Sequence, residues 1–72
     1  MLTGVVSWFN PTKGLGFIEP DNGDSQVIVR AEAVIRADIP ILEFKSGVKV
    51  EFQIVTDDVS QKVGADALRL LP

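Results

Sequence analysis

Five short segments of strand character limit the folds open to this 72-residue chain. They carry β-branched and aromatic residues or a period-two alternation, and they occupy residues 2–10, 15–19, 26–30, 48–54 and 62–71. Turn-forming residues separate them, with Asn10-Pro11-Thr12 after the first segment and Asn22-Gly23 before the third. No connection between them suits the helix of a parallel crossover. The pattern therefore predicts an all-β protein with antiparallel strands.

The longest connection, residues 31–46, follows the third segment. Ala31-Glu32-Ala33-Val34 suits one helical turn, but Pro40 prevents a long helix. Residues 56–61 are polar and acidic and predict a turn before the last strand. Five short strands with one long excursion fit a small closed barrel better than a sandwich. We expect one domain that covers residues 1–72.

The fourth segment shows the clearest alternation. Its apolar residues are expected to face the core, and they are Val48, Val50, Phe52 and Ile54. Phe44 is also assigned to the core, and so is Ile18, which must point away from its neighbour Phe17. These side chains are the predicted filling of the barrel.

Composition excludes several classes of function. The chain has no cysteine and no histidine, which removes disulfides, the commonest metal ligand and the usual base near neutral pH. The sequence argues against an enzyme, and it predicts no cofactor and no metal. The acids Asp21, Asp24, Asp57 and Asp58 lack the spacing of a calcium-binding EF-hand loop and are interpreted as solvated turn residues. No apolar stretch is long enough for a membrane span, and the N-terminus lacks a secretory pattern, so we expect a cytoplasmic protein without a membrane partner.

The net charge of −3 has the wrong sign for a protein that holds phosphates by bulk electrostatics. The distribution of charge matters more than the sum. Lys13 is the only charged side chain among residues 1–18, and the acids begin at Glu19. We therefore expect the acidity to avoid the surface formed around residues 13–18.

One hexapeptide, Lys13-Gly14-Leu15-Gly16-Phe17-Ile18, points to a binding function. Leu15 and Phe17 share one face of a strand, and Trp8 and Phe9 add two aromatic rings upstream. Gly14 permits the positive φ of a turn, and both glycines let the backbone approach a ligand closely. The alternative is that Trp8 and Phe17 are core residues. Phe9 cannot point the same way as Trp8 on a regular strand.

These residues resemble the nucleic-acid-binding face of the bacterial cold-shock proteins. The hexapeptide matches that family's Lys-Gly-Phe-Gly-Phe-Ile motif except at Leu15, and residues 3–10 are similar to its first strand. Residues 27–34 resemble its second motif, with departures at Ile28, Arg30, Ala31 and Glu32. The similarity covers nearly the whole chain. It implies a five-stranded antiparallel OB-fold Greek-key barrel.

The resemblance also implies a function, namely binding of single-stranded DNA or RNA by an RNA chaperone or transcript regulator that stacks bases on surface aromatics. Where the residues match the family, this role falls to Trp8, Phe9, Asn10, Lys13 and Phe17. The predicted site also includes Leu15, Ile28 and Arg30, which depart from the family pattern. Leu15, Ile28 and Ala31 stand where the family usually has phenylalanine, and Ser7 stands where it usually has lysine. We therefore expect a weakened or altered affinity, which the Arg30 guanidinium offsets in part by stacking or by contacting phosphate.

Leu15 and Ile28 leave a second interpretation open. Beside Trp8 and Phe17 they would form a contiguous apolar patch, and such patches commonly mark protein contacts. The long connection of residues 31–46 also permits strand exchange between two chains. Under this interpretation the barrel serves protein interaction or self-association through this patch. We expect a monomer, with a homodimer formed by strand exchange as the alternative.

Overall fold

The computed structural model describes residues 1–56 and 63–72. This part of the chain contains five strands, which are β1 (Leu2–Asn10), β2 (Leu15–Pro20), β3 (Val27–Arg30), β4 (Lys49–Thr56) and β5 (Val63–Leu70). They form one antiparallel sheet in the order β3-β2-β1-β4-β5. The predicted all-β class and five antiparallel strands are confirmed. Thr56, expected in a turn, ends β4, while the rest of that turn and the predicted strand residue Lys62 lie outside the described residues.

A short helix follows β3 directly. This helix, α1 (Ala31–Arg36), contains the predicted helical turn and runs two residues beyond it, and a 3-10 turn at Ile41–Glu43 precedes β4. Ala33 and Val34 of α1 are buried. At the end of the helix, Arg36 forms an ion pair of 3.2 Å with Asp66 of β5. Within residues 1–56 and 63–72, no helix is long and apolar enough to cross a membrane.

The two outer strands of the sheet, β3 and β5, come together in space. They stand at opposite ends of the sheet order. Nevertheless, a Cβ atom placed on Gly64 of β5 would lie 3.5 Å from the carbonyl oxygen of Ile28 in β3. The sheet therefore curls round on itself, as the predicted small Greek-key barrel requires.

The barrel core is made of aliphatic and aromatic side chains from all five strands, from α1 and from the chain between α1 and β4. Its largest fully buried members are Val6, Ile18, Val29, Val34, Phe44, Val50 and Phe52. The core assignments of Ile18, Phe44 and Phe52 are confirmed. The assignment of Ile54 is wrong, because this side chain is 45% exposed. β1 pairs with β4 only as far as Phe52, so Ile54 lies beyond the part of β4 that the barrel covers.

A β-bulge at Ser7 determines which way the β1 aromatics point. Val6 pairs with Ile18 and Trp8 pairs with Phe17, so Ser7 is an extra residue without a counterpart on β2. On a regular strand, Trp8 would share the inward direction of Val6. The extra residue reverses this, so that Trp8 joins Phe17 on the outside and Phe9 turns inward.

Candidate functional site

The outward surface of β1, β2 and β3 presents two rows of side chains, which together we call the platform. The first row consists of Trp8, Phe17 and Ile28, and the second consists of Asn10, Leu15 and Arg30. In each row the three residues are register partners on adjacent strands, so their side chains are neighbours. The fold thus brings together six of the eight residues that sequence analysis singled out.

Trp8 and Phe17 form an aromatic pair at the surface. Their ring centroids are 5.3 Å apart with an interplanar angle of 55°. Trp8 is 44% exposed, and both rings lie outside the buried core cluster. The alternative that Trp8 and Phe17 are core residues is therefore wrong. Two large apolar rings that remain open to water form a surface on which a planar ligand can stack.

Phe9 points away from the platform. It packs against the core and meets Phe44 edge to face, with ring centroids 5.1 Å apart. Its register partner Gly16 is buried, and a Cβ atom there would lie 2.7 Å from Cδ1 of Phe9. Gly16 therefore makes room for the Phe9 ring inside the barrel, and the expectation that it admits a ligand on the outside is wrong. The predicted contact of Phe9 with nucleic acid stays a prediction.

The β1–β2 turn places Lys13 between Asn10 and Leu15 of the second row along the chain. The side-chain oxygen of Asn10 accepts hydrogen bonds from the backbone N–H groups of Thr12 and Lys13, at 3.0 and 3.2 Å. Gly14 completes the turn with the expected positive φ of 69°, and its N–H donates to the Asn10 carbonyl. Lys13 itself is exposed. Asn10 thus holds the turn, and its contact with a ligand stays a prediction.

Arg30 lies at the border between the platform and β5. It is half-buried, and a Cβ atom on Gly64 would lie 3.6 Å from a guanidinium nitrogen of Arg30. Next to it, the N–H of Ala31 donates to the carbonyl of Gly14 at 2.9 Å. The Ala31 methyl group lies close to the turn, since a Cβ atom placed on Gly14 would come within 3.3 Å of it.

A third outward row flanks the platform and carries charge that the sequence analysis did not place there. Val5 pairs with Glu19 on one side and with Lys49 on the other, and both charged side chains are exposed. The expectation that acidity avoids this face is wrong at Glu19. The alternation of Phe17 and Glu19 could have revealed this acid from the sequence. The position of Lys49 beside Val5 follows from the pairing of β1 with β4, which the local sequence does not predict.

Ser7 and Gln26 are connected by a hydrogen bond near the third row. The Gln26 amide donates a hydrogen bond of 3.2 Å to the Ser7 hydroxyl, which links the residue before β3 to the bulge of β1. Among residues 1–56 and 63–72, no group of three or more potential ligands could hold a metal ion. The side chains of this surface offer aromatic rings, hydrogen-bonding groups and charges.

Known proteins match this chain over nearly its whole length. The profile of the family described as 'Cold-shock' DNA-binding domain matches residues 2–70. The cold shock protein CspA of Rhizobium meliloti is 51% identical over 69 residues, which are 96% of this chain and 97% of that protein. A probable cold shock protein of Sinorhizobium fredii is 48% identical with the same coverage. The cold shock-like protein CspA of Rickettsia bellii is 41% identical and covered to 93%. The resemblance drawn from the residues is confirmed.

Proposed function

The chain belongs to the cold-shock domain family, and on that premise we propose that its platform binds single-stranded DNA or RNA by base stacking. The family consists of nucleic-acid binders rather than enzymes, in agreement with the composition. The proposed biological task is that of an RNA chaperone or transcript regulator in the cytoplasm. We further propose that its affinity is lower than that of a relative with phenylalanines at the aliphatic platform positions.

The outward pair of Trp8 and Phe17 is the observation that carries this proposal. Every nucleobase has a π-face, so an aromatic platform accepts any sequence and gains about 1 to 3 kcal/mol for each stacked base. Leu15 and Ile28 occupy the neighbouring positions with aliphatic side chains, which keep contact area but lose the π-face. The presence of aliphatic rather than aromatic side chains at these positions is the reason for the lower proposed affinity for nucleic acid.

Two cations accompany the stacking surface. Lys13 extends from the turn next to the second row, and Arg30 closes that row on β3. A guanidinium can stack on a base and also donate two hydrogen bonds to a phosphate, whereas a lysine acts as a point charge. We assign Lys13 to the phosphate backbone and Arg30 to a base or a phosphate.

Trp8 fluorescence tests the proposal directly. Titration with short oligothymidine and oligouridine at low salt should quench it in a saturable way at micromolar ligand. Phe17→Ala should weaken binding about 5- to 150-fold at every salt concentration, because stacking does not depend on salt. Leu42→Ala is the matched control, since Leu42 is an exposed apolar residue on the 3-10 turn, away from the platform. Unchanged fluorescence with both oligonucleotides would contradict the proposal.

A second candidate function uses the same surface for protein contact. Leu15 and Ile28 are half-buried neighbours of Phe17 and give the platform an apolar centre. A homodimer formed by strand exchange through residues 31–46 would belong to this alternative. Light scattering during size-exclusion chromatography separates the two. A dimer whose fraction rises with protein concentration, together with unchanged Trp8 fluorescence, would favour protein interaction.

A further inference from the structure

A cleft of about 460 Å³ lies beside the platform, between β3 and α1 on one side and β5 and the end of β4 on the other. Ile28 and Arg30 belong to both surfaces, since they end the two platform rows and also line the cleft. The volume lies in the range of sites that bind small molecules. A single-stranded nucleic acid that crosses the platform from β1 to β3 would therefore reach this cleft next.

Gly64 keeps the cleft open. A Cβ atom on Gly64 would point toward β3 and make ordinary contacts of 3.5 to 3.7 Å with Ile28 and Arg30. Gly64 is not in the left-handed region of φ, so its backbone conformation does not require glycine. A larger side chain at this position would project between the two strands and fill the cleft.

The polar lining of the cleft differs from that of the platform. The charged side chains of the platform and its turn are all cations. The described lining of the cleft has both arginines and carboxylates, namely Arg30, Arg36, Glu32 and Asp66. Asp66 is already engaged, because one oxygen pairs with Arg36 at 3.2 Å and the other accepts the N–H of Ala67 at 2.8 Å. Glu32 is exposed in the first turn of α1. It supplies a carboxylate that can accept hydrogen bonds from a ligand.

We propose that this cleft holds one nucleotide of the bound strand and favours a base with an exocyclic amine. Arg30 would contact the phosphate at the border, and Glu32 would accept the amine hydrogen bond of cytosine, or that of adenine or guanine. Thymine and uracil carry a carbonyl oxygen in place of the cytosine amine and would face a carboxylate oxygen instead. This inference rests on the proposed function and adds base preference to it.

The test uses Trp8 quenching by hexathymidylate and by six derivatives, each with one cytosine at a different position. Cytosine at one position near an end should tighten binding about 3- to 10-fold relative to thymine. Glu32→Ala should abolish this ratio, and Glu43→Ala, which removes an equal charge from the 3-10 turn, should keep it. Gly64→Val should also abolish the ratio, and the smaller Gly64→Ala covers the case in which valine impairs folding.

The outcomes separate this inference from the proposed function. Quenching by hexathymidylate with a ratio near one at all six positions would overturn the base-reading cleft and leave platform binding intact. A cytosine ratio that survives both Glu32→Ala and the Gly64 variants would overturn it as well. Absence of quenching by every oligonucleotide would overturn both proposals.

Discussion

Leu15 occupies the middle of the second platform row, between Asn10 and Arg30. Leu15→Phe would add a π-face at this position, next to the Trp8 and Phe17 pair. We expect it to tighten binding of single-stranded oligonucleotides by about 1 to 3 kcal/mol, measured by Trp8 quenching. Leu42→Phe adds the same ring away from the platform and should leave affinity unchanged. An unchanged or lower affinity of Leu15→Phe would mean that this row does not contact bases.

Glu19 places a negative charge on the surface where phosphates would lie. Glu19→Gln should therefore tighten binding at low salt, and the gain should shrink as salt is added, because exposed charges are screened over about 10 Å at 0.1 M ionic strength. Glu43→Gln changes the net charge equally from a distant exposed site. Equal effects of the two substitutions would show that only net charge matters and that Glu19 does not lie beside the ligand.

Sequence alone predicted the direction of some side chains and not of others. Phe17 and Ile18 follow from simple alternation along β2, and Phe52 follows from alternation along β4. Ile54 satisfies the same alternation, but it is exposed because β1 begins at Leu2 and does not reach it. Phe9 depends on the bulge at Ser7, for which the sequence gives no local signal. Strand pairing decided both cases, since Ile54 depends on how far β1 covers β4 and Phe9 depends on the register of β1 with β2.

At the scale of elements, β1 and β2 fit together through Phe9 and Gly16. Gly16→Ala should destabilise the fold by about 1 to 3 kcal/mol, because the new methyl group would overlap the Phe9 ring and the backbone of β1. Chemical denaturation measures this change. Gly64→Ala is the matched control, since its added methyl group makes only ordinary contacts. Equal stabilities of the two variants would contradict the tight fit at Gly16.

β5 contains a second bulge, and Ala67 is the strained residue in it. Glu51 pairs with Arg69 and Gln53 with Asp66, so Ala67 and Leu68 together face a single residue of β4. Ala67 has a φ of 51°, a left-handed conformation that disfavours a Cβ atom. Ala67→Gly should therefore stabilise the protein by about 1 kcal/mol in chemical denaturation.

Ala65→Gly is the control for this prediction. Ala65 is buried in the same strand, and its φ lies outside the left-handed region. Glycine there should lower stability, because it removes a buried methyl group and adds backbone freedom to the unfolded chain. If Ala67→Gly lowered stability as well, the left-handed conformation would not be the source of strain.

The bounds of the elements were predictable where local signals set them. β1 ends where Asn10 and Pro11 begin a turn, and the observed strand has the predicted limits. The helix after β3 was predicted two residues too short. Its last turn is held by tertiary contacts, including the pair of Arg36 with Asp66, which are remote in sequence. Propensity locates such an element and tertiary packing sets its length.

At the scale of the whole molecule, a net charge of −3 and few cations near the platform predict a shallow salt dependence of binding. Two or three phosphate contacts, from Lys13, Arg30 and Lys49, correspond to a slope of about −1.4 to −2.1 for the logarithm of affinity against the logarithm of salt concentration. Titrations at several salt concentrations measure this slope. Lys13→Gln should reduce its magnitude by about 0.7. A much steeper slope would require phosphate contacts beyond these three residues.

The family and the barrel were predictable from the sequence, because the hexapeptide and the strand pattern span most of the chain. The approach of β3 to β5 was predictable only as a general property of barrels. Its detailed form, with Gly64 against Ile28 and Arg30, depends on how far the sheet curls. The cleft beside the platform arises from that contact, and a linear reading of the residues does not reveal it.

The bulge at Ser7 couples recognition to assembly of the barrel. If Ser7 took an ordinary place in the strand ladder, Trp8 would turn inward and Phe9 outward. A ligand that stacks on Trp8 therefore selects the same register that seats Phe9 against Phe44. By thermodynamic linkage, an oligonucleotide that binds only this register would stabilise the native fold by an amount that grows with its concentration and affinity. Such a ligand would therefore favour the register that exposes the surface to which it binds.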